Sequence, residues 1–243
     1  MKFDVSAIVT FHKEGVLGHQ TLLAVERCRM HAESLGLTVE LVITLDCPDA
    51  ETVRVVHDHP AIRESDQVYQ VTFKDLSTCR NFAISKSLGD YIGTFDGDDY
   101  WSKNWISHSV QMIQSEGEHN IIHPEMIFAF GEVNSYWWQI DQLGAYYRPA
   151  TQLTTNYWNA CAFAAKSVFE KCPYQVSRVG EAGFGYEDWH WNCETIAEGY
   201  IHRTAKGTIR YERRKENGSL NIAHRHAGAI IKPSKFFDKI CNA

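Results

Sequence analysis

Apolar runs and helical spacings take turns along the first hundred or so residues. Val5 to Phe11 is a short apolar run with β-branched members, which predicts a buried strand. From Leu22 the apolar or small positions recur at Val25, Cys28, Ala32 and Leu35, a helical spacing closed by Gly36. Thr38 to Asp46 reads as a second strand, and Pro48 prevents its continuation. A weaker helix, about Ala50 to His57, leads to a third strand, Gln67 to Phe73. Ser77 is expected to cap the next helix and Gly89 to end it. Tyr91 to Phe95 is a fourth strand, and Ile106, Ser109, Val110 and Ile113 mark one face of a helix beginning near Ser102. Strands alternating with helices call for an α/β fold around a parallel, doubly wound sheet.

Ligands of such sheets bind beyond the carboxyl ends of the strands. The polar residues there are His12 and Glu14, then Asp46, then Asp96, Asp98 and Asp99. Acidic residues at three strand ends on one edge outweigh the ordinary use of Asp in turns. Neither common type of glycine-rich phosphate loop is present, so a nucleotide would have to be held through a metal. The 243 residues are 44% hydrophobic and carry a net charge of −6, which argues against a general nucleic-acid binder. No apolar run approaches the ~20 residues that cross a bilayer. The opening Met1 to Phe11 reads as a first strand, not a targeting segment. Seven cysteines without a Cys-x-x-Cys pair make a reducing cytoplasm the simpler setting.

The stretch Gly93 to Trp101, GTFDGDDYW, packs three carboxylates into four positions, and these repel unless a cation or water compensates them. In extended backbone Asp96 and Asp98 point to the same side, within reach of one hard cation such as magnesium or manganese. An EF-hand fails, because Trp101 and Ser107 stand where glycine and glutamate are required. The haloacid-dehalogenase pattern fails at Tyr100, where it needs Thr or Val. A solvated acidic turn capping the following helix is the alternative.

Cys79 to Trp101 closely resembles the central signature of family 2 glycosyltransferases: Ala-Arg-Asn, a small-residue helix, Gly-Asp/Glu-Tyr, an apolar strand, then Asp-x-Asp-Asp and an aromatic pair. Cys79 stands in place of the usual Ala before Arg80 and Asn81. The likeness continues in Ser6 to Gly15, Asn159 to Cys172 and Gly183 to Trp191, touching most of residues 3 to 220. It implies a GT-A fold: a Rossmann-like nucleotide-binding half, about residues 1–117, and a smaller acceptor-binding half, about 118–243, in one domain. It also implies that Thr10, Glu14 and Asp46 hold the nucleotide with Arg80 nearby. Asp96 would face the ribose or metal, and Asp98 with Asp99 would bind the metal bridging two phosphates.

Further along, Gly183 to Gly199 places Glu187 and Asp188 at a helix start, where the macrodipole alone would favour acids. The resemblance makes Asp188 the general base of an inverting displacement and Glu187 an orienter of the acceptor. Arg210 to His226 resembles the arginine-rich segment that follows in the family, with Arg213 and Arg214 toward phosphate. His224 and His226 have strand-like i, i+2 spacing, and His224 is a candidate metal ligand by the same likeness. Between the halves, seven of residues 136–158 are aromatic, against 12% of the whole chain, a candidate platform for sugar rings or a local core. Trp137 and Trp138 cannot both face one side of a strand.

Together these readings predict a soluble, cytoplasmic, metal-dependent inverting glycosyltransferase of polysaccharide or glycoconjugate biosynthesis. Its donor is a nucleoside-diphosphate sugar, most simply a UDP-sugar with Mn²⁺ or Mg²⁺. Its acceptor is a saccharide or glycolipid, with a larger glycosyltransferase assembly possible and no nucleic-acid partner. The competing readings are a nucleotidyltransferase that makes the nucleotide sugar, for which Phe11 to Gly15 is a poor match, and a non-catalytic sugar-binding relic.

Overall fold

The computed structural model describes residues 2–177, 183–216 and 220–241. Strands and helices alternate from the start: β1 (Phe3–Phe11), α1 (Leu17–Glu33), β2 (Val39–Asp46), α2 (Ala50–His57), β3 (Gln67–Val71), α3 (Leu76–Lys86) and β4 (Gly89–Asp96). The short β5 (Tyr100–Trp101) and α4 (Trp105–Glu116) lead into the long β6 (Asn120–Gly131) and β7 (Ser135–Trp138). A 3-10 turn at Pro149–Leu153 precedes β8 (Phe163–Ala165) and α5 (Lys166–Lys171). The remaining elements are α6 (Glu187–Ala197), β9 (Ile201–Arg214), α7 (Leu220–His226) and α8 (Lys235–Cys241).

Among the described residues the strands form one mixed sheet in the order β3-β2-β1-β4-β8-β6-β9-β5, with β7 added to β6. The first four are parallel, as the alternation predicts. β8 then runs antiparallel to both β4 and β6, β9 is parallel to β6, and β5 antiparallel to β9. All eight residues of β2 are buried, because helices cover both faces of a parallel sheet and leave no polar side. One face packs Val5, Ala7, Val9 and Phe11 of β1 against Leu22, Val25 and Cys28 of α1 and Trp105 and Ile106 of α4. The opposite face packs Ile8, Val42 and Ile92 against Ala83 of α3, Val168 and Phe169 of α5 and Trp191 of α6.

Two helix boundaries differ from the sequence expectation. Asp75, not Ser77, caps α3 by accepting from the Thr78 amide at 2.7 Å. A carboxylate two positions earlier reaches the orphan amide first, so the helix starts sooner and encloses Ser77. Gly89 does not stop α3, which ends at Lys86; it opens β4 beside β1 instead. A Cβ at Gly89 would lie 2.5 Å from the Ser6 amide nitrogen and 2.6 Å from the Val5 carbonyl carbon, backbone atoms that cannot give way.

Gly89→Ala is therefore expected to cost about 1–3 kcal/mol, lowering the melting temperature by roughly 2–4 °C for each kcal/mol. A thermal melt checks this, and an unchanged midpoint would contradict the close approach.

Candidate active site

β1 and β4 end side by side, with Thr10 registered against Asp96. The chain turns sharply at Gly97, where an added Cβ would meet Phe11 and the Thr10 carbonyl oxygen, so the turn presses on the end of β1. This delivers Asp96, Asp98 and Asp99 to one edge of the sheet, and each meets a cation of the protein itself. Asp96 accepts from Arg80 Nη2 at 2.7 Å and from Arg210 Nη2 at 2.8 Å. Asp99 takes Arg210 Nε at 2.8 Å and Nη2 at 2.5 Å, and its other oxygen accepts from the Arg213 amide at 2.7 Å. Asp98 pairs with Lys215 Nζ at 2.6 Å. Arg80, buried in α3, donates its other arm to Glu187 Oε1 at 3.1 Å. The chain Glu187–Arg80–Asp96–Arg210–Asp99 thus ties the start of α6 to the ends of β4 and β9.

The carboxyls respond differently to this enclosure. Burial pushes Asp96 up, yet Arg80 and Arg210 hold it below the usual carboxylate range. Burial, reinforced by Asp98 and Asp96, carries Asp99 up to about 7 despite Arg210. Asp188 likewise rises to about 7, through burial and then the neighbouring Glu187, against the pull of Arg80. One Asp188 oxygen accepts from Asn156 Nδ2 at 3.1 Å. Glu14 is raised by burial and by Asp98, and one of its oxygens accepts from the His12 amide.

Of the residues singled out by sequence, Thr10, Glu14, Arg80, Asp96, Asp98, Asp99 and Glu187 join this network or border it, and Asp188 adjoins it beside Glu187. Asp46 lies at the end of β2, but its oxygens accept from the Lys74 and Asp75 amides at 3.0 and 3.2 Å, bracing the turn before α3. Arg213 brings only its amide to the carboxylates. Side chains alternate along β9, so its guanidinium lies on the face opposite Arg210, 4.6 Å from the centre of the Phe130 ring and bonded to Tyr100. His224 and His226 are helical rather than strand-like, so they diverge, and only His224 is buried. The Tyr186 amide donates to His224 Nδ1 at 3.2 Å, which puts the proton of the neutral ring on Nε2. That buried nitrogen has no partner among the described residues, and in this tautomer it is a hydrogen-bond donor. Trp158 packs at the centre, stacked on His202, while Tyr136 and Trp138 stand exposed with Trp137 turned to the other side of β7.

Sequence reasoning missed Arg210, Lys215 and Asn156. For Arg210 the signal was present: β9 alternates, and Arg210 shares a face with Glu212 and Arg214 at the end nearest the acidic turn. A cavity of about 990 Å³ beside α6, lined by Phe184, His190, Ile230 and Phe237 among others, contains none of these residues. Among the described residues no three His, Cys, Asp or Glu side chains gather as a metal cage.

A family model described as glycosyl transferase family 2 matches residues 6–173. No curated protein matches the sequence. Among solved structures, residues 1–349 of S. aureus TarS in complex with UDP-GlcNAc superpose with a TM-score of 0.69 at 14% identity, over 98% of this chain and 64% of that one. The mannosyltransferase PcManGT from Pyrobaculum calidifontis, in complex with GDP-Man and Mn²⁺, superposes with a TM-score of 0.62 at 13% identity, over 100% of this chain and 65% of that one. The chain thus spans less than two thirds of the length of either structure, and at such identities the likeness establishes the fold alone. No helix among the described residues is long and apolar enough to cross a membrane.

Replacing Arg210 by Met leaves buried carboxylates uncompensated, at a cost of about 3–5 kcal/mol. Without the guanidinium their folded-state pKa values rise, so the folded protein binds more protons than the unfolded chain and stability falls as pH rises above about 4. Denaturant unfolding should show a larger loss for Arg210→Met at pH 8 than at pH 5. Equal losses at both would contradict the pairing.

Proposed function

The chain belongs to glycosyl transferase family 2 and has the GT-A fold, and from that premise we propose that it moves a sugar, with inversion, from a nucleoside-diphosphate donor to a hydroxyl of a saccharide or glycolipid acceptor. The observation that carries this reading is the ion-pair chain from Glu187 through Arg80 to Asp96. It sets the acidic pair of α6 beside the acidic turn, so that a bond between sugar and diphosphate has a place between them.

On the donor side, Thr10 and Glu14 lie beside the turn, where the nucleoside would rest. UDP-GlcNAc in the TarS complex and GDP-Man in the PcManGT complex support a nucleotide sugar as donor class. The donor set fits a divalent cation of a particular kind. Asp96 and Asp99 are engaged by arginines, and among the described residues Asp98 holds only the Lys215 ammonium, at its Oδ2. Magnesium and manganese suit such a site, since they bind through one or two carboxylates and take the rest of their shell from phosphate and water. A cation held by Asp98 would supply positive charge against the leaving diphosphate. Asp98 is the ligand this reading assigns, with Asp96 and Asp99 holding the turn that presents it. The proton on His224 Nε2 makes that residue a hydrogen-bond donor to an anion in this reading.

On the acceptor side, Asp188 takes the proton from the attacking hydroxyl. A carboxyl titrating near 7 is matched to that task, because at neutral pH it is substantially ionised yet basic enough to accept a proton. Glu187, tied to Arg80, keeps the first turn of α6 in place and orients the acceptor. One base opposite one leaving group gives a single displacement, hence inversion. A role in polysaccharide or glycoconjugate assembly in the cytoplasm follows from the acceptor class and belongs to the same proposal.

Two variants divide the roles. UDP or GDP at ~100 times its dissociation constant should add about 2.7 kcal/mol of stability, and only with Mn²⁺ or Mg²⁺ present. Asp98→Ala should lose this metal-dependent thermal shift. Asp188→Asn should keep it while transfer falls by about 10²–10⁴. Shifts that survive a chelator would refute the cation, and wild-type transfer by Asp188→Asn would refute the base.

A further inference from the structure

The loop between the 3-10 turn and β8 is bound to α6 by side-chain amides. Asn192 lies one helical turn beyond Asp188, on the same face of α6. Its Nδ2 donates to Asn156 Oδ1 at 2.9 Å and to the Trp158 carbonyl oxygen at 3.1 Å. That carbonyl can only accept, so the Asn192 amide has one orientation. Asn156 Oδ1 receives the Asn192 proton, and the NH₂ end of Asn156 is thereby turned toward Asp188 Oδ2. The far end of the arrangement is rigid. Trp158 is fully buried, donates Nε1 to the Ile140 carbonyl oxygen at 2.7 Å and stacks on His202 at 4.3 Å. His202 in turn meets Thr195 of α6 at 2.8 Å.

We propose that Asn156 is a positioning residue for Asp188, its amide fixing the carboxylate toward the cleft and favouring the ionised form that accepts a proton. The proposal rests on Asp188 as the base. A loop that only needed fastening to α6 would be held by Asn192 and by Trp189, whose Nε1 donates to the Gln152 carbonyl oxygen at 2.7 Å. The bond from Asn156 Nδ2 is not needed for that fastening, which Asn192 and Trp189 already supply. What it adds is a donor to one chosen oxygen. The charged and titratable groups around Asp188 are Glu187 beside it on α6, Arg80 from α3, Asp96 from β4 and the Tyr174 hydroxyl. Glu187 and Asp96 oppose ionisation and Arg80 favours it, so Asn156 acts on a carboxyl poised between them. A hydrogen bond to the charged form lowers a carboxyl pKa, and removing it raises the pKa.

The test is a titration of the protein labelled with ¹³C at the aspartate side-chain carboxyls, with Asp188→Asn identifying the resonance. The wild-type Asp188 midpoint is expected at about 7. Asn156→Ala should move it up by about one pH unit, and Asn156→Asp further, because that variant sets carboxylate against carboxylate. Asn156→Ser serves in place of Ala if the latter does not fold, with the same direction of shift. An Asp188 midpoint unchanged in the folded variants overturns the proposal. Release of nucleoside diphosphate from UDP-GlcNAc or GDP-Man distinguishes this failure from that of the base itself. If Asp188→Asn is inactive and Asn156→Ala leaves in place both the midpoint and the acidic limb of nucleoside diphosphate release measured against pH, Asn156 is not a positioning residue. If Asp188→Asn retains the rate, the base assignment fails whatever the titration shows.

Discussion

A guanidinium buried between two carboxylates holds this site together. Arg80 is almost wholly enclosed, and burying its charge is tolerable only because Asp96 and Glu187 take opposite arms of the fork. The first carboxylate ends a central parallel strand, and the second begins a helix far along the chain. Their separation is therefore set by the width of one planar group, which presents its donors in a fixed geometry. Arg210 repeats the device between Asp96 and Asp99, bringing β9 to the same edge. The edge of the sheet and the start of α6 become one unit through these two side chains.

This arrangement gives three neighbouring aspartates unequal tasks. Asp96, shared by two arginines, stays ionised and serves as the hub. Asp99 is deeper, and its second oxygen is occupied by a backbone amide, so it braces the turn. Asp98, among the described residues, pairs with the Lys215 ammonium alone, and the proposed reading makes it the contact for an exchangeable cation. The repulsion that three adjacent carboxylates must overcome is thus met largely by the protein itself. Across the cleft, Asp188 has no direct cationic partner among the described contacts and is raised toward neutrality. Asp96, shared by two arginines, thus stays charged at the turn, whereas burial raises both Asp99 there and Asp188 at the start of α6 to about 7.

Much of this could be read along the chain because it depends on local spacing. The alternation of apolar runs predicts β1 through β4 and their helices, and the ends of those strands named His12, Glu14, Asp46 and the acidic turn. The helix beginning at Glu187 followed from its apolar face and from Gly199. What could not be read depends on pairings across the sheet. β8 enters antiparallel between β4 and β6, and nothing in a three-residue strand announces its partners. Arg213, named beside Arg214 for phosphate, lies on the face of β9 opposite Arg210, which the alternation of the strand decides. Asn156 lies in the aromatic-rich stretch, where nothing in the spacing singles out an amide, and its contacts with α6 arise only in the fold. His224 shows the remaining limit: the family likeness named the residue, but its spacing read as strand where the chain is helical, and the hydrogen bond from Tyr186 decides which ring nitrogen carries the proton.

The central claim is that the chain splits a nucleotide sugar at the sugar–diphosphate bond, and it is tested most directly by the products formed. The protein would be incubated with Mn²⁺ and a panel of UDP- and GDP-sugars, and free nucleoside diphosphate measured with and without saccharide acceptors. Nucleoside diphosphate released from at least one donor, faster with an acceptor and abolished by a chelator, is the result expected. Pyrophosphate formed from a nucleoside triphosphate and a sugar phosphate, or donor binding with no release under any acceptor, would contradict it.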